Sequence, residues 1–466
     1  METPGSGPAS PGGPPQAGGA ARAEPLQVDV LVVGGGLAGA MAALAARDAG
    51  ARVALAARAP GATALSSGAI SVAPDPLALP SAPFSARAGV LESARRIAAQ
   101  RPGHPYALVG AGLDRLREAL GFAARELGAL LAPPSDRNRW LLTPFGAAVP
   151  CALCQRSMVA GDLGEAKGTL AVVAPRGHLW FDAGLVAGGL GRLAGMGAPR
   201  PAIARLDLFM WEEAALARPH ELARILEMPG AAESAGEILR RSLPAGATAA
   251  LFPPVLGLSP EARVPERIAT AASLPVGETL SDVPSVPGLR LQRAIEARLG
   301  AAGVAVLRGD VAGAGGPGAP AVVAGQEVLA RSWVLATGRF VGGGIVRRGA
   351  LREPLLGLPV HLAQASSETG AHLSSRPPAS LTSRDGRAAQ PLLSAGVAID
   401  EGLRPLGPGG RPVDERLFAA GSLIGGHEQA ADGTGLGVAV LTGYLAGRAA
   451  AGGTLSLVPA PGKGSA

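Results

Sequence analysis

The sequence contains little cysteine, few aromatic residues and no long uninterrupted apolar run. Its two cysteines, Cys151 and Cys154, form a single C-x-x-C, whereas an all-cysteine zinc site needs a second pair. The pair also does not stand at the start of a helix after a strand, where thioredoxin-like folds place a reactive dithiol. We therefore predict no metal site, and the scarcity of thiols is typical of a reducing, cytoplasmic compartment. Without a run of about 18 apolar residues, no membrane-spanning helix is predicted.

Charge of either sign is scattered along the chain, with 42 Lys and Arg against 36 Asp and Glu. No dense basic stripe interleaved with aromatic residues is present, which argues against a nucleic-acid-binding protein. The 69 glycines and 42 prolines reflect a GC-rich genome as much as structural need. Single glycine and proline signals outside motifs therefore receive little weight. At 466 residues and 47% hydrophobic content, the chain is long enough for two or three domains.

The strongest motif is the segment 28–39, VDVLVVGGGLAG. Residues 28–33 are apolar except for one aspartate and rich in valine, which predicts a buried parallel strand. The strand runs into Gly34, Gly36 and Gly39, the G-x-G-x-x-G spacing, and then into an alanine-rich helix predicted over 40–49. In this motif the first glycine permits a tight turn, the second admits a phosphate and the third lets helix and strand pack closely. With a second strand predicted over 51–57, the unit predicts nucleotide or flavin binding.

The second strand lacks the acid that usually follows it. Dinucleotide-binding folds place Asp or Glu there to hold the ribose hydroxyls, but Arg58 follows this strand and no acid occurs from Arg58 to Ile70. Two explanations remain open. The ligand lacks an adenosine, as FMN does, or Arg58 receives a 2′-phosphate, as in NADP binding.

Three later loops are further candidates for the cofactor site. Strands are predicted over 332–336 and 417–420, each followed by a glycine-containing loop, and the second loop leads into a helix predicted over 436–448. A helix N-terminus after such a loop favours an anionic ligand. The small, polar loop 61–71 follows the second strand, although an ordinary Ser/Gly turn would have the same composition. The candidate residues in these loops are Ser66, Ser67, Gly68, Thr337, Gly338, Gly421, Gly433, Thr434 and Gly435.

We predict an α/β fold, a discontinuous Rossmann-like FAD/NAD(P)-binding domain with an inserted α+β domain. The boundaries are 1–25 for a disordered tail without signal peptide or anchor, 26–75 plus 285–345 plus 412–455 for the flavin-binding domain, 76–284 plus 346–411 for the inserted substrate or partner domain, and 456–466 for a second tail. Within the insert, helices are predicted over 84–100, 113–131 and 219–228. The segments 251–258 and 282–291 are interpreted as rigid extended turns, and a helix is predicted over 291–299.

Seven motifs together resemble a known family. In order along the chain they read VVGGGLAGAMAAL, SSGAI, TPFGAAVPCAL, FPPVLGL, PSVPGLRL, VLATGRFVGGGI and LFAAGSLIGGHEQAADGTGLGVAVLTGYLAG. They are similar to those of the B subunit of anaerobic glycerol-3-phosphate dehydrogenases, and the resemblance runs in order from about residue 28 to residue 448.

The resemblance implies a flavoprotein that works beside an FAD-bearing A subunit and an iron–sulfur C subunit that tethers the complex to the membrane. It implies that the complex oxidises sn-glycerol 3-phosphate to dihydroxyacetone phosphate and passes electrons to quinone. FMN is the flavin generally assigned to the B subunit, in agreement with the missing acid, so FMN is expected over FAD. The chain itself is expected to be cytoplasmic, reaching the inner membrane only through its partners.

If this subunit carries out the chemistry, three residues are candidates. Oxidation of a secondary alcohol needs a base and cations for the phosphate, and His427, Arg339 and Arg290 are the candidates, Arg290 as a phosphate clamp. Each also has a simpler interpretation, a turn cap for the histidine and surface ion pairs for the arginines. If the A subunit oxidises the alcohol, this chain relays electrons and needs no base, and we favour that hypothesis. Two alternatives stay open: a stand-alone NADP-dependent oxidoreductase, and a structural subunit with a degenerate cofactor site.

Overall fold

The computed structural model describes residues 24–74, 84, 89–207, 217–362, 376–385, 390–429 and 431–452. Almost all of both predicted tails lies outside this part of the chain. The strands are β1 Leu26–Val33, β2 Val53–Ala57, β3 Arg139–Leu142, β4 Ala148–Cys151, β5 Thr169–Pro175, β6 Arg200–Leu206, β7 Ala247–Phe252, β8 Val276–Glu278, β9 Ala305–Arg308, β10 Val311–Ala312, β11 Pro320–Val323, β12 Gln326–Leu335, β13 Val346–Arg348, β14 Ala350–Arg352 and β15 Leu417–Ala419. The helices are α1 Leu37–Asp48, α2 Val90–Gln100, α3 Pro105–Leu108, α4 Leu116–Glu126, α5 Ala183–Arg192, α6 Pro219–Glu227, α7 Ala231–Ser242, α8 Val264–Ala272, α9 Val286–Ala301 and α10 Gly437–Ala450.

A seven-stranded sheet brings together segments that are far apart in the sequence. Six of its strands follow the order β10-β11-β12-β1-β2-β9. The seventh, β15, pairs with the end of β12 on the edge opposite β1. The strands β9, β2, β1, β12 and β15 run parallel, while β10 and β11 form an antiparallel extension. The Rossmann-like sheet built from both ends of the chain is therefore confirmed. None of the helices in the described residues is long and apolar enough to cross a bilayer.

Helix α1 is buried on every face because α10 covers the side that the sheet leaves open. All of its residues from Leu37 to Ala46 are buried. The two helices approach through glycines: a Cβ added at Gly443 would come within 2.4 Å of the Ala38 carbonyl oxygen. At Gly447 the corresponding distance to the Ala42 carbonyl oxygen is 2.2 Å. The packing of the two helices therefore requires both glycines.

A second, four-stranded sheet lies within the predicted insert. Its order is β6-β5-β7-β8 and all its pairings are parallel. Helices α6, α7 and α8 help to close one of its apolar clusters and α5 the other. These two clusters are separate from the core around the seven-stranded sheet.

Two segments assigned to the insert pack elsewhere. The buried side chains of α2 and α4, and those of the described residues between 351 and 403, belong to the core around the seven-stranded sheet. Helix α4, for example, places the Phe122 ring 5.2 Å from the Tyr444 ring of α10. An amphipathic helix buries its apolar stripe against whichever apolar surface lies nearest, and a sequence pattern does not say which surface that is.

One segment interpreted as an extended turn is a helix start. Helix α9 begins at Val286, and the Ser285 hydroxyl caps it by accepting from the Gly288 N–H at 2.8 Å. Pro287 is compatible with the first helical turn because the N–H groups there have no intrahelical partner. The serine cap was the signal that the turn interpretation overlooked.

Arg290, expected as a phosphate clamp, instead joins α9 to the second sheet. Its side chain is 2% exposed and pairs with the buried Glu278 carboxylate at 2.6 Å. The guanidinium also donates to the Gly257 carbonyl at 2.7 and 3.0 Å and to the Gln155 side chain at 2.7 Å. Because these donors are committed within the protein, Arg290 has none positioned for a substrate phosphate.

We expect Gly447→Ala to destabilise the fold. The added methyl group meets backbone of α1 and forces the helices apart, which costs about 1–3 kcal/mol and outweighs the gain in helix propensity. The matched control is Gly300→Ala in α9, where a Cβ meets nothing within 4 Å. Urea denaturation measures both variants; equal stability of the two would contradict this account of the helix contact.

Candidate functional site

A cleft of about 1220 Å³ opens at the carboxyl ends of the parallel strands. In a parallel sheet, ligands bind at this edge because the loops and helix N-termini converge there. Its walls are the glycine loop after β1, residues 56–63 after β2, residues 309–314 after β9 and residues 336–343 after β12. Three arginines and two acids line the cleft: Arg58, Arg339, Arg348, Asp310 and Glu353.

The three motif glycines have different surroundings. Gly34 has φ +124°, and a Cβ there would lie 2.1 Å from the Ala336 carbonyl oxygen. A Cβ at Gly39 would lie 1.9 Å from the Gly34 carbonyl oxygen, so this residue allows α1 to pack on β1. Gly36 lines the cleft, and the atom nearest to a Cβ added there would be the Thr63 hydroxyl oxygen, at 3.3 Å. The geometry therefore supports the separate roles expected for a turn, a packing contact and a phosphate approach.

The loop after β2 lies directly over the glycine loop. The Leu37 N–H, at the start of α1, donates to the Thr63 hydroxyl at 2.9 Å. Gly61 approaches so closely that a Cβ there would be 2.6 Å from the Gly36 Cα. Sequence reasoning did not single out Gly61 or Thr63, although both stand in the small, polar loop that it marked. Together they form one wall of a narrow backbone cradle.

The predicted cofactor residues divide into two groups. Those that line the cleft are Gly34, Gly36, Arg58, Ser66, Ser67, Thr337, Gly338 and Gly435. The Thr337 hydroxyl is buried and has no hydrogen-bond partner among the described residues, as expected of a group that faces a ligand. Gly39, Gly68, Gly421, Gly433 and Thr434 stand outside the lining.

The residues outside the lining shape the loops instead. Gly421 has φ +68°, its N–H donates to the Thr442 hydroxyl at 2.8 Å, and a Cβ would collide with Ala38 at 2.6 Å. The Gly68 carbonyl accepts from the Gln155 amide at 3.1 Å. Gly433 packs against Pro74, where a Cβ would come within 3.0 Å. These contacts support the cleft from behind.

At the far end of the cleft, Arg58 meets an acid that the motif search missed. Asp310 follows β9, the strand beside β2, and its carboxylate lies 3.6 Å from the Arg58 guanidinium. Both side chains are largely exposed. The acid escaped notice because it stands about 250 residues from the motif in the sequence.

Arg339 and His427, two of the catalytic candidates, are neighbours. Arg339 lines the cleft, and its guanidinium donates to the carbonyl oxygens of Leu393 and, at 3.1 Å, His427, which are outside the lining. Burial lowers the pKa of Arg339 to about 10. His427 is 1% exposed and outside the cleft lining. Burial, aided by the nearby Arg339 and His104, holds the pKa of His427 well below its usual range.

A second buried histidine, absent from the sequence prediction, lies beside His427. The His104 and His427 rings are 5.7 Å apart. His104 Nδ1 accepts the Tyr106 N–H at 3.1 Å, while Nε2 lies 4.0 Å from a carboxylate oxygen of Asp432, which also pairs with Arg101. Burial lowers the pKa of His104 to about 4, against the opposing charge of Asp432. Both histidines are therefore neutral at pH 7.

The cysteine pair is inert in this structure. Cys151 and Cys154 are both buried and unpaired. Burial raises the pKa of each thiol to about 12. A thiol reacts as its thiolate, so neither position favours dithiol chemistry.

The parallel sheet, glycine cradle and cleft define the class of dinucleotide-type cofactor-binding proteins. The FAD binding domain family matches residues 29–438. Similar relatives are the probable B subunit of anaerobic glycerol-3-phosphate dehydrogenase from Halobacterium salinarum, 30% identical with 91% of this chain and 98% of that protein covered, and the B subunit of the same enzyme from Pectobacterium carotovorum, 29% identical with 90% and 97% covered. This chain belongs to the FAD-binding family and, within it, to the B subunits of anaerobic glycerol-3-phosphate dehydrogenases.

A more distant likeness is to the crystal structure of 3-ketosteroid delta1-dehydrogenase from Sterolibacterium denitrificans. It is 13% identical with a TM-score of 0.40, and 91% of this chain and 99% of that chain are covered. At this TM-score the likeness carries no weight for function.

The family establishes the protein as a flavin-dependent oxidoreductase. The residues present fit such a group, because Gly36 leaves the cradle open and the Thr337 hydroxyl lacks a partner among the described residues. The expectation of FMN over FAD finds no support, since the matching family is one of FAD binding domains.

We expect Gly36→Ala to weaken flavin binding at least tenfold while the protein stays folded. Its backbone angles, φ −81° and ψ −176°, suit alanine, and the methyl group would displace only the Thr63 hydroxyl and the ligand phosphate. The control is Gly121→Ala, where a Cβ meets nothing within 4 Å. Flavin content is measured by absorbance and folding by circular dichroism. Full flavin content in Gly36→Ala would place the phosphate elsewhere.

We expect His104→Asn to flatten the acid dependence of stability. The folded pKa of about 4 is below the unfolded value of 6.5, so the unfolded state binds more protons between them. Stability is thus highest above pH 6.5 and falls as the pH drops towards 4. Between pH 7.5 and 5 the wild type should lose roughly 2 kcal/mol more than the variant, which keeps the helix cap.

Urea denaturation at the two pH values tests this. The control is His220→Asn, at a partly exposed histidine in α6. It should lose as much stability as the wild type between the two pH values. An equal loss in His104→Asn would mean that His104 does not titrate as its burial demands.

Proposed function

We propose that this chain is the electron-relaying flavoprotein subunit of a glycerol-3-phosphate dehydrogenase complex, with FAD in the cleft. The observation that carries the proposal is the similarity, over about 90% of the chain, to proteins named as B subunits of that enzyme. The backbone cradle formed by Gly36, Gly61 and Thr63 supports it. The substrate of the complex is sn-glycerol 3-phosphate, its product is dihydroxyacetone phosphate, and the electrons pass towards quinone.

FAD is proposed over FMN because of the length of the cleft. The cradle at Gly36 and the start of α1 would hold the pyrophosphate, with the helix dipole and free N–H groups facing its charge. From there the cleft continues past Arg58 to residues 309–314, where an adenosine would lie. A mononucleotide would leave that end empty. When bound, a flavin supplies reversible transfer of one or two electrons.

The relay role is supported by the side chains of the cleft. Oxidation of an alcohol needs a base within hydrogen-bond reach of the hydroxyl. No histidine is among the described residues that line the cleft. Of its two acids, Asp310 stands at the end of the cleft where the adenosine would lie, and Glu353 accepts the Leu355 and Leu356 N–H groups at 2.9 and 2.8 Å. We therefore assign substrate oxidation to a partner.

Arg339 and His427 then act as positioning residues. The Arg339 guanidinium bridges the loop after β12 and the glycine loop before α10 by donating to the His427 carbonyl. Both loops border the cleft, so this bond fixes the two walls relative to each other. The neutral, buried His427 fills the space behind them and need not transfer a proton.

The proposed partners are an FAD-bearing A subunit, which oxidises the substrate, and an iron–sulfur C subunit, which receives the electrons and tethers the assembly. The chain would then lie on the cytoplasmic side and reach the inner membrane through them. These assignments rest on the family name and on the absence of a usable base among the described cleft residues.

The decisive measurement is the cofactor and its reduction. We expect the purified chain to be yellow, to release FAD on heating and to stay oxidised when sn-glycerol 3-phosphate is added anaerobically. Adding the A subunit with the same substrate should bleach the flavin of this chain. Bleaching by the substrate without the A subunit would overturn the relay role. Release of FMN would overturn the assignment of FAD as the cofactor. If the chain bound no flavin after reconstitution, both assignments would fail.

A further inference from the structure

We propose that Asp310 binds the ribose diol of the adenosine and, with Arg58, makes the cleft selective for an unphosphorylated ribose. The acid that dinucleotide folds usually carry after the second strand is thus supplied by the next strand of the sheet. This inference rests on the proposed function, since it concerns how the chain holds FAD.

Sheet register places Asp310 at the right edge. Strands β2 and β9 are parallel neighbours with Ala57 opposite Arg308. The Gly309 N–H donates to the Ala57 carbonyl at 3.2 Å, so the two chain segments leave the sheet side by side. Arg58 and Asp310 therefore emerge together into the same cleft. The acid thus follows β9, whereas the usual acid follows β2, the neighbouring strand of the sheet.

The few contacts of the Asp310 carboxylate leave it free to accept hydrogen bonds from a ligand. A carboxylate offers about four lone-pair directions, and the one contact that the described residues provide is the 3.6 Å approach of Arg58. An ion pair this exposed contributes little to stability, so folding does not account for it. The other cleft acid, Glu353, is fully buried and occupied by backbone N–H groups. Asp310 is therefore the acid in the described lining that two ribose hydroxyls can reach.

The same pair bears on the NADP alternative. Arg58 alone would attract a 2′-phosphate, but a phosphate at that hydroxyl would also approach the Asp310 carboxylate. Like charges at a few ångströms repel, and the diol can donate to a carboxylate whereas a phosphate ester cannot. The pair thus favours FAD over NADPH.

The test uses the full chain, freed of flavin and titrated with FAD, FMN and NADPH while flavin or nicotinamide fluorescence is followed. For Asp310→Asn we expect FAD to bind about 10- to 100-fold more weakly, the loss of a charge-assisted hydrogen bond. FMN should bind as to the wild type because it does not reach Asp310. NADPH binding should be no weaker than in the wild type, and Asp310→Glu should recover part of the FAD affinity.

A matched control is Asp136→Asn, which removes the acid of another exposed pair, 3.3 Å from Arg117 and outside the cleft lining. It should change no affinity. Unchanged FAD binding in Asp310→Asn, or an equal loss of FAD and FMN, would overturn the ribose contact. Failure of the wild type to bind either flavin would overturn the proposed function itself, so the two failures are distinguishable.

Discussion

Close backbone contact among β1, α1 and β12 is the constraint on which the rest of this structure depends. The Ala336 carbonyl, the turn at Gly34 and the first turn of α1 at Gly39 approach to distances that leave no room for side chains. This contact brings the N-terminus of α1 to the carboxyl edge of the sheet. Helix α10 then closes over α1 through glycines of its own, and the cleft is the space left between the loops.

The polar groups of the site separate into two regions with different chemistry. The cleft presents backbone N–H groups, hydroxyls and arginines, which suit an anionic cofactor. Behind it, His104, His427 and Asp432 are buried, with Arg339 between the two regions. Desolvation keeps the histidines neutral, so the buried region lends rigidity to the loops rather than a proton to a substrate.

Much of the fold and about half of the proposed site could be predicted from local pattern. The βαβ unit, the strand before Thr337 and the strand and helix around Gly435 each combine apolar runs with glycines at fixed spacing. Such signals depend only on residues that are close in the sequence, so they can be recognised without knowledge of tertiary contacts. The FMN expectation failed to find support for the opposite reason. It considered only the residues that follow β2, whereas Asp310 lines the same cleft and follows β9.

The sequence by itself determined the class of fold, the glycine loop at Gly36 and the family, because each depends on motifs whose residues are contiguous in the chain. Tertiary structure alone decided which residues meet across long separations. Arg290 became the partner of a buried Glu278, His104 joined His427 and Asp432, and Arg58 found Asp310. The physical reason is that charge and exposure at these positions are properties of packing. Whether a side chain binds a ligand, caps a helix or forms a buried ion pair depends on which residues the fold places next to it.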